Sequence, residues 1–270
     1  MSLLSSRFVT RSATINVMAR SIEKACKGLV RDFNEVEHLQ VSQKGPGDFV
    51  STADLRVEKT LRMELEKARP TYGFIMEESG IIEGEDRDHY WIIDPIDGTS
   101  NFLHGIPHFA VTVALKRGRD IVAGCTYDPI KDEFFWAEKG MGAFLNDRRI
   151  RVSTRKNLNE SLLVTGFPFA GHGDPEEFKE ILGRVMPKVA GVRRFGAAAL
   201  DLAYVAAGRF EGYWESGISP WDIAAGIILV KEAGGHVRDL EGGHEMMDRK
   251  SIIAAPEHFH APLLDLIHGR

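Results

Sequence analysis

The middle of the chain alternates short apolar segments with polar turns. The segments lie at residues 90–94, 109–115, 121–128 and 133–138, and the last three are separated by the turns KRGRD and PIKD. Short runs rich in β-branched and aromatic residues between such turns are typical of antiparallel strands. We therefore predict an antiparallel meander, which does not fit a fold that strictly alternates strands with helices.

Helical patterns lie on both sides of this meander. Apolar residues recur at helical spacing from residue 15 to residue 33 and again over about residues 53–68, where Pro70 ends the pattern. The segments GAAALDLAYVAAG and SPWDIAAGIILVKEAGG predict two later helices, with further strands at SLLVTGF, EGYWES, HVRDL and SIIAAP. Because helices and strands are partly segregated along the chain, we predict a layered α+β fold.

The loop KGMGAFLNDRR is the best candidate for a boundary within the chain. It would divide an N-terminal α+β half, residues 1–145, from a C-terminal half, residues 146–270. No linker composition separates them, so we expect two intimately packed halves that form one functional unit. At 270 residues with 43% hydrophobic content, the chain can bury a substantial core.

Charge and cysteine content exclude several classes of protein. The net charge of −5 gives no general attraction to nucleic acid or anionic lipid, and the apolar runs are far too short to span a membrane. Cys26 and Cys125 have neither disulfide-framework nor zinc-ligand spacing, so we expect a protein of the reducing cytoplasm. Residues 1–22 are rich in arginine, serine and threonine, as transit peptides are, but their helical spacing favours the start of the first helix.

Two aspartates stand at the apolar end of the first strand, in WIIDPIDGTS. Residues three apart face opposite ways on a straight strand, whereas a turn broken at the proline can bring Asp94 and Asp97 together and expose the Ile96 carbonyl between them. Carboxylates so close repel each other and usually imply a cation. Because the donors are all oxygens and the histidines lack paired spacing, the pattern favours magnesium or manganese over zinc.

The residues after Asp97 are suited to bind an anion. Gly98 permits close approach, and Thr99 begins a predicted short helix whose free N–H groups favour phosphate. A cation site beside an anion-binding turn is the arrangement used in two-metal hydrolysis of phosphate esters.

Three further acids, Asp54, Glu77 and Asp222, lie at the ends of predicted elements. Each also has a purely structural interpretation. Asp54 and Asp222 follow a serine by three residues, which is the spacing of a capping box at a helix start. Glu77, within MEES, could lie in a solvated turn after a strand. Taken singly, capping is the better interpretation of both aspartates.

Three segments together are similar to a known family. FIMEES, WIIDPIDGTSNF and SPWDIAAGIILVKEAGG resemble the signature regions of the inositol monophosphatase family, within the lithium-sensitive, magnesium-dependent sugar phosphatase superfamily. The likeness extends over nearly the whole chain, and GAAALDLAYVAAGRFEGYWE looks most like the bacterial members. The resemblance implies an αβαβα sandwich, a homodimer and phosphomonoester hydrolysis.

The resemblance also implies a role for each acid. Glu77, Asp94 and the Ile96 carbonyl would hold a first Mg²⁺, and Asp94, Asp97 and Asp222 a second. A weaker third ion would lie near Glu77, and Mn²⁺ is a possible substitute. These residues come from both halves of the chain, since Asp222 belongs to the C-terminal half.

The remaining implied roles concern the reacting water and the substrate. Thr99, with Asp54 behind it and Glu77 nearby, would orient the attacking water, while the amides of Gly98 and Thr99 would hold phosphate oxygens. Glu215 and Ala198, together with Asp97, correspond to positions that contact the sugar. Lys44, in SQKGPGDF, corresponds to a lysine on a mobile loop, although the loop is one residue shorter here.

The leading functional hypothesis is magnesium-dependent hydrolysis of inositol 1-phosphate. Fructose 1,6-bisphosphate, histidinol phosphate and 3'-phosphoadenosine 5'-phosphate are alternative substrates for the same chemistry. A different hypothesis is a regulator that binds RNA or the transcription machinery through the basic segment RRIRVSTRK, with catalysis incidental. The complete set of acids favours an enzyme, and the acidic net charge makes nucleic acid a less favoured partner than a small polyol phosphate.

Overall fold

We describe the protein from a computed structural model over residues 11–36, 41–45, 48–168 and 173–270. The side chains of residues 43–45 and 48–50 are outside the described part. In this part of the chain the α-helices are α1 (Ala13–Ala25), α2 (Leu29–Asn34), α3 (Thr52–Ala68), α4 (Thr99–Leu103), α5 (Pro175–Val185), α6 (Ala198–Ala206), α7 (Pro220–Glu232), α8 (Met246–Arg249) and α9 (Glu257–His268).

The strands run in chain order from a short hairpin to the C-terminal sheet. They are β1 (Val41–Gly45), β2 (Asp48–Ser51), β3 (Tyr72–Met76), β4 (Gly80–Ile82), β5 (Asp86–Asp97), β6 (Ala110–Arg117), β7 (Asp120–Asp128), β8 (Glu133–Glu138), β9 (Gly142–Leu145), β10 (Arg148–Ile150), β11 (Leu162–Thr165), β12 (Gly191–Arg193), β13 (Gly212–Ser216), β14 (Gly235–Arg238) and β15 (Ser251–Pro256).

These strands form two main sheets. The larger sheet has eight strands in the order β10-β9-β8-β7-β6-β5-β3-β4, and β3 lies parallel to β5. Strands β5 through β8 form the predicted antiparallel meander, and β9 and β10 extend it through the segment that was predicted as a loop. The smaller sheet has five strands in the order β12-β11-β13-β15-β14, and β11 is parallel to both of its neighbours. Strands β1 and β2 pair separately as an antiparallel hairpin.

Helices cover both faces of each sheet. α1 and α3 pack on the outer face of the large sheet, α6 and α7 lie between the two sheets, and α5 and α9 cover the far side of the small sheet. The order of layers is therefore helix, sheet, helix, sheet, helix, which confirms the predicted α+β sandwich. No helix within the described ranges is long and apolar enough to cross a membrane.

The central position of α7 follows from its sequence. Residues 223–230 of this helix are all buried, and a helix that is apolar all round requires packing partners on every side. Two glycines allow that close packing. A Cβ on Gly124 of β7 would lie 2.6 Å from Ile228, and a Cβ on Gly226 would lie 2.4 Å from Leu202 of α6. The helix that carries Asp222 in its first turn is thereby packed closely against β7 and α6.

Several elements differ from the sequence prediction. The helical pattern of residues 15–33 is divided into α1 and α2 because Gly28 adopts the left-handed conformation, with φ of +88°. The segment between α2 and α3 contains the β1–β2 hairpin rather than a plain loop. Helices α5 and α9 were not predicted. The proposed boundary at residue 145 falls between β9 and β10, which pair with each other in the large sheet, and the division into halves stays a prediction.

Candidate active site

Three aspartates meet at the end of the large sheet. Asp94 and Asp97 come from the end of β5, and Asp222 comes from the first turn of α7. One carboxylate oxygen from each lies within 4.8 Å of the others. Strand β5 does not end at Pro95 as predicted; its pairing with β6 instead shifts register between Asp94 and Asp97. This irregularity allows two residues three apart to face one point, as bulges often do beside active sites.

The charges in this cluster oppose one another. Asp94 and Asp97 are 1% and 8% exposed. Burial, and then the charges of Glu77, Asp97 and Asp222, raise the pKa of Asp94 well above its usual range. Burial and the charge of Asp222 do the same to the pKa of Asp97. A bound cation would remove this repulsion, and an all-oxygen donor set suits a hard divalent ion. The residues present therefore fit a metal site.

Both serine–aspartate pairs form the predicted capping boxes. The Ser51 backbone N–H donates to Asp54 Oδ2 at 2.9 Å, and the Ser219 backbone N–H donates to Asp222 Oδ2 at 2.9 Å. Asp222 nevertheless contributes an oxygen to the three-aspartate cluster. The capping box therefore does not exclude a role of Asp222 in binding metal, which stays a prediction, since capping fixes a carboxylate that faces the cluster.

Thr99 connects Asp54 to the cluster. Its Oγ1 lies 3.2 Å from Asp54 Oδ1 and 2.9 Å from the Ile96 carbonyl oxygen, and its single proton can be donated to only one of them at a time. Asp54 is fully buried, and burial raises its pKa although four hydrogen bonds oppose that shift. The hydroxyl is therefore held between a carboxylate and a carbonyl, and Thr99 begins α4 as the sequence predicted.

A buried glutamate that the sequence prediction missed holds the turn after β3. The carboxylate of Glu58, 2% exposed, accepts hydrogen bonds from the Glu78 backbone N–H at 2.8 Å and from Ser79 Oγ at 2.5 Å. Glu77 immediately precedes this turn and also interacts with Asp94. Glu58 follows Asp54 by four residues, so one face of α3 supports both Thr99 and the Glu77 turn.

A cavity of about 480 Å³ opens beside the aspartates. Most of the predicted site residues line it, namely Glu77, Asp97, Gly98, Thr99, Ala198, Glu215 and Asp222. The backbone N–H of Ala199, at the start of α6, donates to Asp97 Oδ2 at 2.7 Å and so joins α6 to the cluster. Lys44 lies on β1, but its side chain is outside the described residues.

A second acidic group also lines the cavity. Burial raises the pKa of Glu215 to about 7, and the Tyr213 hydroxyl donates to its Oε2 at 2.5 Å. Asp201, on α6, also lines the cavity and was not predicted. An aspartate inside the apolar segment AALDLAYVAA was the signal that could have identified it, because an unpaired buried acid is rare.

Comparison with known proteins agrees with this geometry. Residues 9–269 match the model of the inositol monophosphatase family. The chain belongs to this family. It is 54% identical over 259 residues to an inositol-1-monophosphatase of Mesorhizobium japonicum, covering 96% of this chain and 97% of that protein.

Two further similarities are informative. The chain is 44% identical to the Nus factor SuhB of Escherichia coli K12, covering 89% of this chain and 90% of that protein. It also superimposes on the crystal structure of the extragenic suppressor protein suhB of Bartonella henselae, with a TM-score of 0.92 and 54% identity. That match covers 95% of this chain and 98% of the other. The whole fold, including every element that carries a site residue, therefore lies within the family match.

Proposed function

We propose that this phosphatase hydrolyses inositol 1-phosphate to inositol and phosphate. The observation that carries the proposal is the convergence of Asp94, Asp97 and Asp222 within 4.8 Å, beside a threonine bonded to a buried aspartate. Membership of the family and the similarity to relatives named inositol-1-monophosphatase support the choice of substrate. The cavity beside the cluster has room for a small polyol phosphate.

The acids would hold two Mg²⁺ ions. Glu77, Asp94 and the Ile96 carbonyl would bind one, and Asp94, Asp97 and Asp222 the other; a third ion near Glu77 and substitution by Mn²⁺ belong to the same proposal. Bound divalent ions would stabilise the charge on the phosphate and acidify water. The preference for magnesium is supported by the all-oxygen donor set.

The groups around Thr99 would orient the attacking water. Thr99 Oγ1 would accept a proton from the water as its own proton passes to Asp54 Oδ1, 3.2 Å away. The backbone N–H groups of Gly98 and Thr99 would hold phosphate oxygens. Residue 98 has the left-handed conformation, with φ of +90°, which glycine adopts readily and other residues disfavour, so the turn that presents these groups favours a glycine. Lys44, on the β1–β2 hairpin, would correspond to the family's lysine near the metals.

The test is a phosphate-release screen with and without magnesium. The substrates are inositol 1-phosphate, fructose 1,6-bisphosphate, histidinol phosphate and 3'-phosphoadenosine 5'-phosphate. We expect the highest kcat/KM on inositol 1-phosphate, no turnover after chelation, recovery on adding Mg²⁺ and inhibition by lithium. A higher kcat/KM on one of the other three would contradict the substrate assignment, and full turnover after chelation would contradict the metal assignment.

The proposal also includes the oligomeric state and the cellular compartment of the protein. We expect a cytoplasmic homodimer, because the resemblance implies a dimer and both cysteines, Cys26 and Cys125, are free thiols. Light scattering coupled to size-exclusion chromatography measures the mass directly, and a mass near 30.1 kDa would identify a monomer.

A second role is favoured by two observations. Relatives named Nus factor SuhB are 43–44% identical to the chain, and the basic segment contains the exposed side chains of Arg148, Arg149 and Arg151. We infer that this segment could bind RNA or a transcription protein. Neutralising the three arginines would then weaken a salt-sensitive complex, whereas no binding by the unaltered protein at low salt would dispose of the RNA form of this role.

A further inference from the structure

The cavity beside the three aspartates is also lined by residues of α6 and β13. This part of its wall carries a different set of charged groups, Arg194, Asp201 and Glu215, beside Gly166 and Phe167. None of these belongs to the three-aspartate cluster, and all come from the C-terminal half of the chain. This wall faces the part of the cavity that is left for the alcohol once the phosphate lies at Gly98 and Thr99.

Glu215 is held rigidly in this wall. It accepts hydrogen bonds from the Tyr213 hydroxyl at 2.5 Å and from the backbone N–H of Gly166. A Cβ on residue 166 would lie 2.1 Å from the Glu215 carboxylate, so only glycine leaves room for the side chain in this position. The carboxylate is thus a preorganised acceptor whose remaining capacity is directed at the cavity.

Asp201 is the exceptional residue of the wall. It is 1% exposed, yet its Oδ1 has no hydrogen-bond partner among the residues described. Buried polar atoms in folded proteins are nearly always paired, and leaving one unpaired is costly. Oδ1 is closed to solvent although Asp201 lines the cavity, so turning the carboxylate about its Cβ–Cγ bond would present the unpaired oxygen to a ligand there.

The charges around Asp201 restrict what that ligand can be. Glu215 and Asp97 are like charges that act on it, and Arg194 is the opposite charge. An anionic group at this position would face three carboxylates and one guanidinium that lies exposed over the Phe167 ring. A neutral hydroxyl donates a hydrogen bond without adding negative charge, so a hydroxyl group suits the wall better than a second phosphate does.

We propose that Asp201 is a specificity-determining residue, which binds a hydroxyl group of the substrate's alcohol portion next to the one bound by Glu215. Two carboxylates on adjacent elements, α6 and β13, would select phosphate esters of polyols over esters of alcohols without further hydroxyls. The inference rests on the proposed function, because it requires the phosphate to lie beside the three aspartates.

The test compares two substrates in an Asp201→Asn variant. Asparagine keeps the shape of the side chain but replaces one acceptor by a donor. The substrates are inositol 1-phosphate and p-nitrophenyl phosphate, whose leaving group has no further hydroxyl. We expect the ratio of their kcat/KM values to fall about tenfold or more, mainly through KM for inositol 1-phosphate, since a site built to bond a hydroxyl discriminates strongly.

Glu211→Gln is the matched control. Glu211 is also a buried acid next to β13, 1% exposed, but it bonds to Arg155 and to the Leu162 backbone N–H and does not line the cavity. We expect its substrate ratio to stay within twofold of the wild type. Circular dichroism and thermal melting of both variants measure whether the fold is retained.

The outcomes separate the inference from the proposed function. An unchanged ratio in Asp201→Asn, or equal losses on both substrates, would overturn the role of Asp201 while leaving inositol phosphate hydrolysis intact. The wild type could instead prefer another polyol phosphate, in which case inositol 1-phosphate has failed as the substrate. A tenfold loss of that preference in Asp201→Asn would then still support the role of Asp201 in specificity. A wild type with no preference for any polyol phosphate would overturn both.

If Asp201→Asn does not fold, a measurement on the wild type alone still tests the proposal. Monodeoxy analogues of the preferred polyol phosphate lack one hydroxyl each. We expect at least two of them, one for each carboxylate, to lose tenfold or more in kcat/KM. Turnover of every analogue within twofold of the parent would overturn the proposal.

Discussion

Replacing Glu58 by glutamine tests how the Glu77 turn is held. Glu58 does not line the cavity, but its carboxylate accepts hydrogen bonds from the Glu78 N–H at 2.8 Å and the Ser79 hydroxyl at 2.5 Å. Glutamine keeps one carbonyl oxygen and presents an NH₂ group to the other donor. The variant therefore loses one of two hydrogen bonds without a change of volume.

The size of the effect follows from the kind of bond that is lost. A hydrogen bond to a charged group contributes about 1.5–3 kcal/mol. If the turn must be formed for Glu77 to bind metal, this free energy appears as a loss of metal affinity of about 10-fold to 150-fold. The half-saturating Mg²⁺ concentration for phosphate release should rise by that factor, while kcat at saturating Mg²⁺ changes much less, because Glu58 touches no reacting group.

The assay is phosphate release across a magnesium titration. Isothermal calorimetry with Mg²⁺ in the absence of substrate measures the same affinity without relying on turnover. Glu66→Gln is the control, since Glu66 is an exposed acid on the same helix. A Glu58→Gln protein with the wild-type melting temperature and an unchanged magnesium requirement would show that the turn forms without Glu58, and the reasoning would be wrong.

Three other substitutions have expected outcomes that follow from single contacts. Asp222→Asn should reduce magnesium-dependent turnover by at least about 100-fold. It should also raise the melting temperature of the metal-free protein, because it removes a like charge from the cluster. Scanning calorimetry with and without Mg²⁺ measures the direction of the change in melting temperature. Thr99→Val should lower kcat by roughly 10²-fold to 10⁴-fold while Thr99→Ser retains more, as single-turnover kinetics would measure. Gly166→Ala should displace Glu215, lower the stability by about 1–3 kcal/mol in urea unfolding and weaken the preference for polyol phosphates; retention of both stability and preference would contradict the close approach seen between residue 166 and that carboxylate.

The sequence predicted the local features of the site well. The segment WIIDPIDGTS was sufficient to place two aspartates and a helix start together, because charge repulsion and turn chemistry act over a few residues. The bulge in β5 could not be anticipated, since it depends on pairing with β6. The three-residue spacing between serine and aspartate predicted capping boxes at Asp54 and Asp222, and both are present.

The long-range features were harder to predict for a physical reason. Asp222 joins Asp94 and Asp97 only because α7 is buried between two sheets, and local periodicity does not say which sheets a buried helix will contact. The comparison with a known family supplied that pairing. Glu58 and Asp201 carry no motif. Glu58 lies in the charged segment LRVEKTLRMELEKA, and Asp201 was visible only as an acid inside an apolar pattern. Their partners, or the lack of one, are decided by tertiary packing.

The two acid groups of the cavity differ in a way that assigns them different tasks. Asp94, Asp97 and Asp222 converge, and burial together with the neighbouring carboxylates raises the pKa of Asp94 and of Asp97, so a bound cation would stabilise their arrangement. Glu215 is instead satisfied by a tyrosine hydroxyl and a backbone N–H within the protein, and so keeps its position without a metal. The first group is therefore suited to bind a cation, whereas Glu215 is held in place by the protein alone. If the proposed roles are correct, metal binding and substrate choice should be separable by mutation, since neither Glu215 nor Asp201 contributes an oxygen to the three-aspartate cluster.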